Sequence, residues 1–240
     1  MFPLLANPGW RHRNTWTPAS LSGLAAWFTA GPSWCFTDAG GTVPCGDGDP
    51  VRVWKDRSGN ARDLSQATSG NRPVLRSVSG RWWVQFDGVD DGLELSGFAP
   101  GSAATIAIAH NTTGDGSFLG VEGGAVFQCR IGQSAANELS TYDGGNNPQS
   151  DALSTARGSN TASGYVLSGT TVSFYENGTA RGSGTANWSS FTANRVGRSG
   201  IPGVLQITGY LGEIVLATAT ASAGDLTSLF GYLRSAWGTP

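Results

Sequence analysis

The chain has 240 residues, a formal net charge of −2 and 13% charged residues, against about 25% in an ordinary globular domain. That balance predicts no neutralisation of a nucleic-acid backbone, and no run approaches the ~20 apolar residues of a membrane helix. Nine Trp within a 39% hydrophobic content supply a core for one large all-β domain, and 36 Gly fit many turns and short strands.

Residues 1–16 differ from the rest. Phe2, Trp10 and Trp16 stand among prolines with no periodicity, and Arg11 and Arg13 follow a short apolar run, the reverse of a secretion signal. This stretch reads as an arm that docks through Phe2, Trp10, Arg11, Arg13 and Trp16, separate from a domain over 17–240. Thr17-Pro18 is a helix start with proline in the first turn.

Strand signals then dominate. Trp54 leads into a turn rich in hydrogen-bonding side chains, Asp56, Ser58, Gly59 and Asn60. An aromatic strand from Trp82 to Phe86 follows, in which neighbours Trp82 and Trp83 must face opposite sides. Ile106 and Ile108 alternate along one strand. Phe127, Cys129 and Ile131 share a face, with Cys129 a small buried hydrophobe. Val172 and Phe174 precede Asn177-Gly178, a favoured two-residue hairpin turn. Leu205 and Ile207 alternate with polar neighbours, and a further strand covers 212–216. Cys35 and Cys45 flank a Gly-rich turn, either as a small disulfide loop or as two thiols in a surface hairpin. One helix closes the chain. Ser222 caps it with Asp225 three residues on, and Leu226, Leu229, Phe230, Leu233 and Trp237 form its apolar stripe before Gly238.

Trp54-Lys55-Asp56-Arg57-Ser58-Gly59-Asn60, Arg72-Pro73 and Val84-Gln85-Phe86-Asp87-Gly88-Val89-Asp90-Asp91 resemble the concanavalin A-like, laminin-G-like jelly-roll family. Tyr175-Glu176-Asn177-Gly178, Gly212-Glu213-Ile214 and the closing helix are similar to that family's later elements. The resemblance covers about 17–238. It implies an antiparallel β-sandwich (jelly roll) of two curved sheets, with a C-terminal helix and an N-terminal extended arm. Members serve as glycan-binding lectins, adhesion modules and, in one branch, glycoside hydrolases. Free-standing versions with an arm resemble phage and phage-like particle proteins.

The hydrolase branch carries Glu-x-Asp-x-x-Glu on one strand. Here Glu94, Glu122, Glu138, Glu176 and Glu213 are scattered, so no enzyme is expected. His12 and His110 lack metal-ligand spacing. Asp87, Asp90 and Asp91 beside Gly88 and Gly92 are candidate calcium ligands, or plain turn formers. Trp34, Trp82, Tyr142, Tyr175 and Trp188 are candidate rings for stacking on sugars. The resulting expectation is a non-enzymatic component of a phage or phage-like particle: a head spike, decoration or tail-fibre protein on the particle surface, released by lysis. The arm would join it to other particle proteins and to sister subunits as a homo-oligomer, and the sandwich would contact host-surface polysaccharide. The alternatives are a bacterial carbohydrate-binding module and, third, a glycoside hydrolase or lyase that draws its carboxylates from different strands.

Overall fold

The computed structural model describes residues 16–121, 128–132, 137–188, 192–199 and 205–240. After a 3-10 turn at Pro18–Ser20, the chain forms β1 (Leu24–Thr29), β2 (Cys35–Phe36), β3 (Val53–Trp54), β4 (Leu64–Ser65), β5 (Val74–Val78), β6 (Arg81–Asp87), β7 (Leu93–Phe98) and β8 (Ala103–Thr112). It continues through β9 (Gly116–Gly120), β10 (Gln128–Ile131), β11 (Leu139–Tyr142), β12 (Thr161–Ser168), β13 (Thr171–Glu176), β14 (Thr179–Thr185), β15 (Ala193–Val196) and β16 (Thr208–Ala217) to the helix α1 (Ala223–Trp237).

The strands make an antiparallel sandwich. One sheet runs β14-β13-β12-β8-β16-β6-β5, and the other β11-β10-β9-β15-β7-β4-β3-β2. β16 is long enough to hold two neighbours on one edge. Its first half, from Thr208, pairs with β6, and its second half, to Ala217, pairs with β1. Phe28, Trp54, Phe86, Phe98, Ile106 and Phe174 are buried in the core; each such side chain contributes about 1.5–3 kcal/mol.

α1 lies on the outer face of the first sheet. Ser222 Oγ accepts from the Asp225 backbone N–H, and Gly238 ends the helix at φ 64°. Leu229, Phe230, Leu233 and Trp237 are buried beneath it. Two glycines let the helix come close: a Cβ on Gly164 would meet the Phe230 ring, and one on Gly212 would overlap the Trp237 ring. Covered on both faces, β8 and β12 are buried nearly throughout, so their sequences read as apolar runs rather than as clean alternation.

Local signals hold where the turn chemistry is local. Asn177 and Gly178 take φ 51° and 87° in the β13–β14 hairpin. Asp56 accepts from the Trp27, Ser58 and Arg62 backbone N–H groups, and Asn60 Nδ2 donates to Leu24 and Ala25 oxygens, which ties that turn to β1. Two expectations need correction. Leu205–Ile207 is not a strand; Leu205 adopts φ 54°, and β16 starts at Thr208. Of the two readings of Cys35 and Cys45 the structure has free thiols: they flank a hairpin in which the Cys45 N–H donates to the Cys35 carbonyl at 2.9 Å, but both side chains are buried in the core and not at the surface. Cys129 is buried as expected. Phe127 and arm residues Phe2, Trp10, Arg11, His12 and Arg13 lie outside the described residues. Trp16 packs on Tyr232 of α1, ring centroids 6.3 Å apart.

Candidate functional site

α1 stops at Trp237, and the outer face of the first sheet continues past it. There, cross-strand partners put Val74, Gln85, Tyr210 and Asn111 in one row over β5, β6, β16 and β8. Arg76 pairs with Trp83 in the row beside it. The two-residue turn Ser79-Gly80, both at positive φ, carries the chain back sharply from β5 to β6. These features enclose a pocket of about 140 Å³ between the end of α1 and the sheet edge, lined by Arg81, Trp83, Asn111, Asn160 and Tyr210 with Val78 and Ser79 at its rim.

Trp83 and Tyr210 form the aromatic part, in an edge-to-face arrangement with centroids 6.5 Å apart. Trp83 is buried and Tyr210 half-buried, so Tyr210 offers more of its ring to a ligand. Asn111 Nδ2 donates to Asn160 Oδ1 at 3.0 Å, and Asn160 Nδ2 donates to the Trp237 carbonyl at 2.9 Å. Arg81 Nε donates to the Ala236 carbonyl at 3.1 Å. Asn111 Oδ1 and the two terminal amino groups of Arg81 have no hydrogen-bond partner among the described residues. The lining thus combines an apolar wall with a few fixed polar groups, the make-up of a small-molecule site. Its lining residues include no carboxylate, thiol or imidazole; the groups with exchangeable protons are the Tyr210 phenol, the Ser79 hydroxyl, the amides and the Arg81 guanidinium.

Behind the pocket lies Glu213, wholly buried on β16. Its carboxylate accepts from Trp27 Nε1 at 2.5 Å, Trp237 Nε1 at 2.6 Å and the Tyr232 hydroxyl at 2.7 Å. Burial pushes this carboxyl upward, against the three donors and nearby Arg57, which favour its charged form. Arg57 in turn stacks on Trp27 at 3.8 Å and on Trp34 at 4.7 Å. One acid therefore joins β1, β16 and α1, and fixes the Trp237 ring that backs Trp83.

The rings named from sequence are not brought together. Trp188 is fully buried, which rules it out as a stacking surface. Tyr175 packs under α1 against Phe230, centroids 6.0 Å apart. Trp82 packs against the core near Gly31, while its neighbour Trp83 faces the pocket. Trp34 is half-buried under Arg57, and Tyr142, at the edge of the second sheet, has Arg130 over its ring at 5.0 Å.

Asp87, Asp90 and Asp91 do converge, with one carboxylate oxygen of each within 4.8 Å of the others. Asp87 Oδ1 accepts from the N–H groups of Val89, Asp90 and Asp91, and Asp91 Oδ2 accepts from the Asp87 N–H. These bonds build the turn. Burial, then the neighbouring Asp87 and Asp90 charges, raise the Asp91 carboxyl to about 6. Three carboxylates suit a hard cation in charge; with one oxygen from each, the rest of the six to eight that calcium takes would have to come from their second oxygens, carbonyls or water.

The other acids stay apart. Glu94 pairs with Arg195 at 2.7 Å. Burial would raise Glu176, yet the Ser154 and Thr155 backbone N–H groups hold it at about 2. Glu122 lies outside the described residues. Nothing in the sequence marks Arg81, Asn111, Asn160 or Tyr210 as site residues. Strand parity does separate Trp83 from Trp82.

No protein-family model matches the chain, and no curated protein sequence matches it. Solved structures do share its fold. Domain 4 of AbnA, a GH43 extracellular arabinanase from Geobacillus stearothermophilus, in complex with arabinotriose, aligns over 72% of this chain and 90% of that domain, with a TM-score of 0.58 at 14% identity. Trypanosoma rangeli sialidase aligns over 89% of this chain, TM-score 0.57 at 16% identity, but this chain spans only 33% of that enzyme. A GH54 α-L-arabinofuranosidase aligns over 89% of this chain and 63% of its own, with a TM-score of 0.66 at 13% identity. The expectation of a phage or phage-like particle component is overturned by these neighbours, which are carbohydrate-active proteins and not particle parts. The architecture they share with this chain is a β-sandwich found in carbohydrate-active proteins.

Proposed function

We propose that this chain is a carbohydrate-binding module of the concanavalin A-like, laminin-G-like type, which holds a sugar at the end of α1 without cleaving it. The observation that carries this reading is the pocket itself. Trp83 and Tyr210 offer an apolar wall beside the amides of Asn111 and Asn160 and the Arg81 guanidinium. A pyranose or furanose ring has an apolar C–H face and polar edges, so it needs that pairing of surfaces. The similarity to an arabinanase domain solved with arabinotriose supports the substrate class. The lining lacks the pair of carboxylates that most glycoside hydrolases use, which supports binding without turnover.

Calorimetry of the full chain against arabinan, galactan and pectin oligosaccharides tests this, with released reducing ends measured in parallel. Saturable binding that Tyr210→Ala weakens, with no reducing ends released, is the expected result. Binding that is indifferent to Tyr210→Ala would move the site elsewhere, and released ends would make the protein an enzyme.

A further inference from the structure

We infer that the pocket selects a sugar bearing a carboxylate, such as a uronic acid, through the Arg81 guanidinium. The inference rests on the carbohydrate-binding reading above and adds a charge preference to it.

Among the described residues Arg81 has no ion-pair partner. The four ion pairs among the described residues join Lys55 to Asp63, Arg157 to Asp115, Arg181 to Glu176 and Arg195 to Glu94. Arg76, the cross-strand neighbour of Trp83 on the same face, is not among them either; its Nε donates to the neutral Gln85 Oε1 at 3.0 Å. Two cations therefore sit at Trp83 with no carboxylate in the pocket lining, in a chain whose net charge is −2. The next acid along β6, Asp87, is six residues from Arg81, about 20 Å of strand. Glu213 is behind Trp237 and committed to three donors. Asp47, near the outer strand, accepts from the Ser77 N–H.

The guanidinium is also aimed. Its Nε is held by the Ala236 carbonyl, and a Cβ on Gly238 would stand 2.9 Å from its Nη2, so glycine there leaves it room. What stays free is the end-on pair of amino groups, the fork that binds a carboxylate through two parallel bonds. Beside the rings of Trp83 and Tyr210 that pairing is less screened than in open solvent.

Arg81 also faces the carbonyl end of α1, where a cation is stabilising in any case, so the test must separate positioning of the helix end from ligand recognition. Calorimetry of the full chain at low salt would compare trigalacturonic acid with its fully methyl-esterified form. We expect the free acid to bind at least tenfold more tightly, with the advantage shrinking as salt rises. Arg81→Gln, which also loses the bond to the Ala236 carbonyl, should weaken both forms to some degree but erase the advantage of the acid over the ester, and that ratio is the readout. Arg81→Lys, which keeps the charge and loses the fork, should fall between. Arg76→Gln, at the more exposed position, serves as a second variant and should cost the acid a smaller factor. Equal binding of acid and ester would overturn the charge preference and leave the carbohydrate reading standing. If neither form nor any neutral oligosaccharide binds, both readings fall.

Discussion

Trp83 and Trp237 meet with ring centroids 4.8 Å apart at an interplanar angle of 59°. The contact joins the floor of the pocket to the last turn of α1. Anything that shifts the helix end should therefore change sugar affinity as well as stability.

Tyr210→Ala is the cleanest test of the aromatic wall. The ring is half-buried and touches Trp83 at its edge, so truncation should leave the fold intact. Losing an aromatic anchor costs about 1–2 kcal/mol of binding, so affinity should drop roughly five- to thirtyfold. A melting curve within about 3 °C of the parent would show that the loss is local.

Gly212→Ala probes the coupling. The new Cβ would strike the Trp237 ring, and overpacking of this kind costs about 1–3 kcal/mol. Denaturant unfolding should show that loss, and calorimetry should show weaker sugar binding although residue 212 does not line the pocket. Unchanged affinity in a destabilised variant would break the proposed link.

Glu213→Ala should be more severe than Glu213→Gln. Alanine strands the Trp27, Trp237 and Tyr232 donors inside the protein, and breaking a buried charged network costs about 3–5 kcal/mol. Glutamine keeps an oxygen for part of that set, so about 1–3 kcal/mol is expected. Urea midpoints measured with an unchanged m-value would give the ranking.

The sequence carried the signals that act over a few residues. Ser222 with Asp225, Asn177-Gly178 and Gly238 each act on their own backbone, and each is found in its expected role. The pocket was not legible because its residues lie on separate stretches. Arg81, Asn111, Asn160 and Tyr210 meet only once β16 is inserted between β6 and β8. Parity placed Trp82 and Trp83 on opposite faces but could not say which face α1 would leave uncovered. At Leu205 the apolar alternation misled, because tertiary contacts override pattern in a residue at φ 54°. Trp188 had no pattern to mark it as core, and packing alone buries it.

Asp91→Asn should stabilise the fold at neutral pH. The Asp91 carboxyl is raised to about 6 by burial and by the Asp87 and Asp90 charges, above its unfolded value near 3.9. A raised acid costs stability where it is ionised in both states, above pH 6, and that cost disappears as pH falls toward 4. Asparagine removes the repulsion and keeps an oxygen for the Asp87 N–H. After allowance for solvent screening, about 1 kcal/mol of gain is expected at pH 7, fading by pH 4. A loss of stability at pH 7 would mean that the charge is needed, for instance by a bound cation.

His110 should set the acid limit of the fold between pH 6.5 and about 4. Its ring lies in the core against Phe118, centroids 4.8 Å apart, with Nε2 2.8 Å from Ser163 Oγ and Nδ1 3.2 Å from Thr112 Oγ1. Burial foremost, then the Arg157 charge, lowers its pKa to about 3. The folded state keeps the ring neutral, whereas the unfolded chain binds a proton near pH 6.5. The unfolded state thus holds more protons below 6.5, and stability falls steadily with pH until the folded pKa is reached. Glu176, held at about 2, adds its own loss only below about pH 4.5; the upward-shifted Asp91 and Glu213 act in the opposite sense, and because the parent and a His110 variant share them, the difference between the two isolates the histidine. His110→Gln keeps an amide for Ser163 or Thr112 and removes the titration. Its stability should trail the parent at pH 8 by about 1–3 kcal/mol, and the gap should close or reverse by pH 4.5. Parallel curves across that range, read from urea unfolding at each pH, would show that His110 is protonated at no cost in the folded core.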